Sequence, residues 1–128
     1  MSILKLKLQK YHLKHSTQQK QAALISLLKP VTSRNTGPLQ KQLNLLIERQ
    51  YDSYIFVIEK AILFTAHALK LLLAFQNTLN SPAGLLITPG LQKLATCARL
   101  EKVFITAEKT GTVIMKIETA RKTAAPGG

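Results

Sequence analysis

The stretch ILKLKLQKYHLKH, residues 3–15, admits two periodicities, and the choice between them decides the fold. Read as a strand, Leu4, Leu6 and Leu8 share a face, but the alternation breaks at Lys10-Tyr11-His12. A strand therefore accounts for only about six residues. Read as a helix turning about 100° per residue, Lys7, Lys10 and Lys14 form one line and Leu4, Leu8 and Tyr11 an adjacent one. Lys5 and His12 then lie opposite. The helical reading covers the whole stretch, so the sequence predicts a basic amphipathic helix here.

Downstream, Ser16-Thr17-Gln18-Gln19 fits a capping box, with Ser16 as N-cap and Gln19 three residues on. The segment Gln18–Lys29 is rich in helix formers and carries Ala22, Ala23, Leu24, Leu27 and Leu28 as its apolar side. It stops at Pro30, which cannot continue a helix. PVTSRNTGP, residues 30–38, reads as a turn closed by proline at both ends. From Leu39 to about Leu79 there is neither Pro nor Gly. Leu43, Ile47, Tyr51, Tyr54, Ile58, Ile62, Thr65, Leu69 and Leu72 recur every three or four residues. That spacing predicts a long helix, roughly 60 Å if unbroken, with a kink allowed near residues 50–53.

The run YIFVIEKAILFTAHALKLLLAF, residues 54–75, is long enough to span a bilayer. Glu59, Lys60, His67 and Lys70 interrupt it, and each central charge costs roughly 2.5–3.5 kcal/mol on insertion. A helix with one polar stripe, central in a bundle or buried by neighbouring subunits, is the better reading. NSPAGLLITPG, residues 80–90, reads as a loop, with Thr88-Pro89 as N-cap and first position of another helix. Residues 102–118 remain open between a helix weakened at Thr110-Gly111-Thr112 and a β-hairpin of KVFITA and TVIMKI around EKTG. TAAPGG is a tail. The expected fold class is all-α: a basic N-terminal helical arm and turn (1–38) followed by a long-helix packing domain (39–128). An α fold with a C-terminal β-hairpin is the alternative.

Charge is the strongest compositional signal. Eighteen Lys and Arg stand against six Asp and Glu, a formal net charge of +12. The first acidic residue is Glu48, so Lys5, Lys7, Lys10, Lys14, Lys20, Lys29, Arg34 and Lys41 precede it unopposed. Such an imbalance implies a polyanionic partner. The lone Cys97 excludes an intrachain disulfide and a cysteine-built zinc site, and its apolar neighbours suggest a small buried side chain. The first residues are charged and lack the apolar run of a secretory signal.

Catalytic patterns are missing from the sequence: there is no phosphate loop, dinucleotide fingerprint or nucleophile elbow. His12 and His15 have the spacing to pinch a metal, but lysines surround them and no carboxylate is near. A Cys97–His67 couple lacks an orienting motif. The expectation is a non-enzyme without cofactor or metal.

The acid-free arm suits a phosphate backbone, since duplex DNA presents one charge per roughly 1.7 Å of axis. Seven of its eight basic residues are lysines, which favour backbone contact over base reading. This layout of basic arm, turn and apolar helical body resembles the major coat (nucleocapsid) proteins of filamentous archaeal double-stranded DNA viruses. The resemblance implies that 1–29 wraps the genome, 30–38 turns the chain and 39–125 forms the shell. It further implies double-stranded DNA held in an A-like form, assembly with like or related coat subunits, and a place in the virion. Two other readings stay open: a basic non-catalytic subunit of a ribonucleoprotein, or a peripheral membrane protein with 3–29 on anionic lipid. A cytoplasmic location is the alternative to the virion.

Overall fold

The computed structural model describes residues 3–13, 17–79 and 82–124. Its opening stretch is a strand, β1 (Leu4–His12), paired antiparallel with β2 (Gln19–Leu27) from Leu4 opposite Leu27 to His12 opposite Gln19. The leucines Leu4 and Leu6 pack with Ala23, Ile25 and Leu27 on one face of the sheet. Lys5 and Lys7 lie on the other face and are exposed. The helix expected from Gln18 to Lys29 is likewise a strand. Ala22 to Ile25 are all buried, because β2 has neighbours on both edges and packed side chains on both faces. A strand buried on both faces reads as a continuous apolar run, and periodicity alone does not distinguish that from a buried helix.

After β2 the chain alternates. Helix α1 (Thr36–Glu48) leads to β3 (Ser53–Val57), a 3₁₀ turn (Ala61–Leu63) and α2 (Ala66–Thr78). Then come β4 (Gly84–Leu86), α3 (Gln92–Cys97), a 3₁₀ turn (Leu100–Lys102), β5 (Ile105–Ala107) and α4 (Thr110–Ala124). The strands form one mixed sheet in the order β1-β2-β3-β4-β5, with β2 to β5 mutually parallel. Residues 1–38 and 39–128 both contribute strands to it. One face carries the larger core, with Leu39, Leu43, Leu72, Phe75, Leu91 and Phe104 packed on Ile25, Phe56 and Leu85. On the other, Val113, Ile114 and Ile117 of α4 close over Ala22, Leu24 and Ile55. Gly84 makes this second layer possible: a Cβ there would stand 2.3 Å from Val113 Cγ1.

The fold is therefore α/β, not all-α, and each correction has a local cause. The long helix expected over 39–79 ends at Glu48, because Gln50 adopts the left-handed conformation (φ 55°) that usually calls for glycine. No Gly or Asn marks that end in the sequence. Residues 54–58 then run through the centre of the sheet, with Tyr54, Ile55, Phe56 and Ile58 buried. Residues 102–118 are neither one helix nor a hairpin, since β5 pairs parallel with β4 and α4 begins at Thr110. α3 starts at Gln92, so Thr88 does not cap it. Cys97 is exposed. The apolar residues of the expected helices are taken up by two internal core layers. Among the described residues no helix is long and apolar enough to cross a membrane. The capping box around Ser16, with Lys14 and His15, lies outside the described residues.

Candidate functional site

In open α/β sheets the loops after the carboxyl ends of parallel strands are the ordinary place for binding. Here those loops are tied together by side chains. The Thr65 hydroxyl donates to the Val31 carbonyl at 2.5 Å, fastening the loop after β3 to the loop after β2. The same oxygen accepts from the Ala68 amide at 3.1 Å and caps α2. The Thr88 hydroxyl, itself buried, donates to the Ile58 carbonyl at 2.7 Å and joins the loop after β4 to the end of β3. Gly90 lies so close to the same segment that a Cβ would stand 2.1 Å from the Glu59 carbonyl oxygen. Asn35 closes the first loop by donating to the Pro30 carbonyl and accepting from the Thr32 amide.

What this fastened surface exposes is partly apolar. Ile62 is 74% exposed in the 3₁₀ turn after β3, with Ala61 beside it, and Leu28 is 48% exposed just past β2. Around them, on the same loops and the first turns of the helices, stand Lys29, Arg34, Lys60, His67 and Lys109, with Glu59 and Glu108 as the acidic members. An exposed apolar centre inside a mostly basic rim is the composition of a protein contact.

The opposite end of the sheet carries the polar network. Tyr11 donates to Glu118 Oε1 at 2.9 Å and shares a 2.9 Å hydrogen bond with the buried Ser53 hydroxyl. Lys20 and Arg121 stand 3.5 and 3.2 Å from the same carboxylate oxygen. Arg121 also donates to the Asp52 carbonyl, and Asp52 Oδ2 accepts from the Gln21 amide at 2.8 Å. Burial pushes the Tyr11 phenol up to about 12, the Glu118 carboxylate adds to this, and the Ser53 hydrogen bond opposes it. Burial raises Tyr54 as well. An open cleft of about 600 Å³ lies beside this network, lined by Tyr51, Asp52, Tyr54 and Arg121 among others. Its polar groups bond mainly to one another, which makes it a clasp between α4 and the strands.

Of the eight basic residues expected to act together, the seven that are described are dispersed. Lys5 and Lys7 share one face of β1, while Lys10 is on the other. Lys20 is held by Glu118, Lys29 and Arg34 sit on the carboxyl-end loops, and Lys41 is exposed on α1. Lys14 lies outside the described residues. His12 is exposed at the far end of β1, and no group of three or more metal-binding side chains occurs among the described residues. His67 lies in the first turn of α2 and Cys97 ends α3. The sequence reading missed Ile62 and Thr65, both assigned to a helix stripe, and Gly90. The charged pair Glu59-Lys60 inside an apolar run, followed by Thr65 ahead of a helical pattern, was the available signal.

No protein-family model and no curated protein matches the chain. Among solved structures it is similar to an anti-sigma factor antagonist from Mycobacterium paratuberculosis, with 12% identity and a TM-score of 0.59 over 88% of this chain and 95% of that one. The likeness is one of fold. It overturns the resemblance to filamentous-virus coat proteins, and with it the wrapping of DNA, the coat-subunit assembly and the virion location. A continuous helical face of lysines was the premise of those expectations, and strands β1 and β2 do not supply one. The ribonucleoprotein and membrane-surface readings rested on the same arm and are left without support.

Proposed function

We propose that the protein is a non-catalytic regulatory module that docks onto an acidic partner protein through the loops at the carboxyl ends of its parallel strands. The observation that carries this reading is Ile62, 74% exposed on a surface that hydroxyl-to-backbone hydrogen bonds hold in place. A preorganised apolar contact loses little freedom on binding, which favours affinity. The rim charges and the net charge of +12 supply complementarity to an acidic surface and speed its encounter. Of the eight basic residues, Lys29 and Arg34 belong to this rim. The fold neighbour supports the same class of activity, since it is described as acting against another regulatory protein. A cytoplasmic location goes with this reading.

The test is affinity enrichment from the native host with the wild-type chain and with Ile62→Glu, followed by binding measurements on the purified partner. Ile62 is exposed, so the variant should fold with unchanged stability while its affinity falls by about 30-fold or more. An acidic protein captured by wild type and lost by the variant is the expected result. Equal binding by both would remove this surface from the function.

A further inference from the structure

A second surface lies along the outer edge of β1. The Leu28 amide donates to the Ile3 carbonyl at 2.8 Å, which fixes the phase of the β1–β2 ladder. In an antiparallel pair, residues alternate between those bonded to the partner strand and those whose amide and carbonyl point away. Counting from Ile3, residues Lys5, Lys7, Gln9 and Tyr11 bond to β2. Leu6, Leu8 and Lys10 therefore present their backbone groups outward, and β1 is the terminal strand of the sheet. An edge of this length is a template for another strand.

The side chains along this edge state what kind of strand would fit. On the α1 side, Leu6 lies in a groove of about 190 Å³ shared with Leu4, Leu45, Leu46, Gln42 and Arg49. Leu8 is 43% exposed and Leu45 56% exposed. On the α4 side, Lys5 and Lys7 stand exposed. Residues of an added strand that bond to Leu6 and Leu8 would point their side chains to the α1 side. The residues between them would stand beside Lys5 and Lys7, in non-hydrogen-bonded positions where side chains approach most closely.

We propose that the outer edge of β1 accepts an extended segment of a partner protein, with alternating apolar and acidic residues, as an added strand. A second copy of this chain fits poorly. Antiparallel self-pairing centred on Leu6 or Lys7 sets Lys5 or Lys7 opposite Lys7, and like charges directly opposed are destabilising. Centred on Leu8, the register of full overlap, it sets Lys10 of each copy opposite Leu6 at the apolar groove and leaves Lys7 diagonal to Lys7. This surface is distinct from the carboxyl-end loops and does not depend on them.

The probe is a soluble peptide of alternating valine and glutamate, about nine residues long, matching the span of the edge. It is added to the isotope-labelled full chain while amide hydrogen exchange is followed. Exchange at Leu6, Leu8 and Lys10 should slow by about tenfold or more when the peptide is bound. A peptide of alternating valine and lysine should do nothing. The double variant Lys5→Glu with Lys7→Glu should weaken the glutamate peptide by about tenfold or more. Leu8→Pro removes an outward donor only, so it should block binding while Lys7 and Gln9 stay protected by β2. The proposal is overturned if the glutamate peptide leaves the three amides unchanged in the folded chain, or if the lysine peptide binds equally well. It is also overturned if those amides are already protected in a dimer of the free protein.

Discussion

The two ends of the parallel strands use polar side chains in opposite ways. At the amino end, Tyr11, Ser53, Glu118, Lys20 and Arg121 bond to each other, and Tyr54 donates to the Leu46 carbonyl at 2.6 Å. At the carboxyl end, Thr65 and Thr88 bond to backbone, and the charged side chains around them face solvent. One end is a clasp that holds α1 and α4 against the sheet. The other is a fastened surface with an apolar centre left uncovered. A cleft therefore marks the clasp, while the better candidate for binding is a surface whose apolar centre, Ile62, stands exposed. Protein partners, unlike small molecules, do not need an enclosed pocket.

The contrast breaks most severely at Gly90. A methyl group there meets the Glu59 carbonyl at 2.1 Å, so Gly90→Ala should force the loops apart. The expected cost is about 2–3 kcal/mol, read from the denaturant midpoint, together with weaker partner binding. An unchanged midpoint would show that the loops are not packed as described. At the other end, Tyr54→Phe leaves the Leu46 carbonyl without its donor and should cost about 1–2 kcal/mol. Partner affinity should be unaffected, and a loss of binding would erase the distinction between the ends.

Tyr11 sharpens the comparison through pH. The unfolded chain releases this proton near the ordinary value of 10.0, whereas the folded chain holds it to about 12. Between those values the folded state carries more protons, so stability falls as pH rises. This contribution is present in full below pH 10 and is lost as pH rises toward 12, a loss of roughly 1–2 kcal/mol after allowance for partial exposure. Chemical denaturation across this window should show it in wild type and not in Tyr11→Phe. The smallest effect is at Gln50, whose left-handed backbone costs an ordinary side chain some strain. Gln50→Gly should stabilise the protein by about 0.5–1 kcal/mol, and a destabilised variant would contradict that origin for the end of α1.

How far the fold could be read in the sequence depends on which rule each segment obeys. The leucine and lysine alternation from Leu4 to Leu8 was a strand signal. It lost to a helical count because the apolar row changes face: Lys10 is exposed where the leucines end, and Tyr11 packs on the other face beneath α4. β2 and β3 were unreadable by period, since burial on both faces removes the polar positions that reveal one. The break at Gln50 was legible only as a kink allowed near residues 50–53, because no glycine or asparagine marks it and glutamine rarely adopts that conformation. PVTSRNTGP was read as a turn, and its residues 30–35 form the loop before α1. Of the candidate site, the excess of basic charge was visible, but its distribution was not. Lys20 and Lys29 look alike in the sequence. One is paired with Glu118 at the clasp and the other rims the exposed loops.

The central claim is that the carboxyl-end loops, and not the amino-end cleft, meet the partner. A photo-crosslinking residue placed at position 62 tests this against the same residue at position 103, where Val103 is also exposed but lies at the amino end of β5. Both chains are expressed in the native host, irradiated, and resolved by mass spectrometry. The expected result is a single acidic protein joined at position 62 and absent at position 103. Crosslinking to that protein from position 103 alone, or equally from both, would contradict the claim.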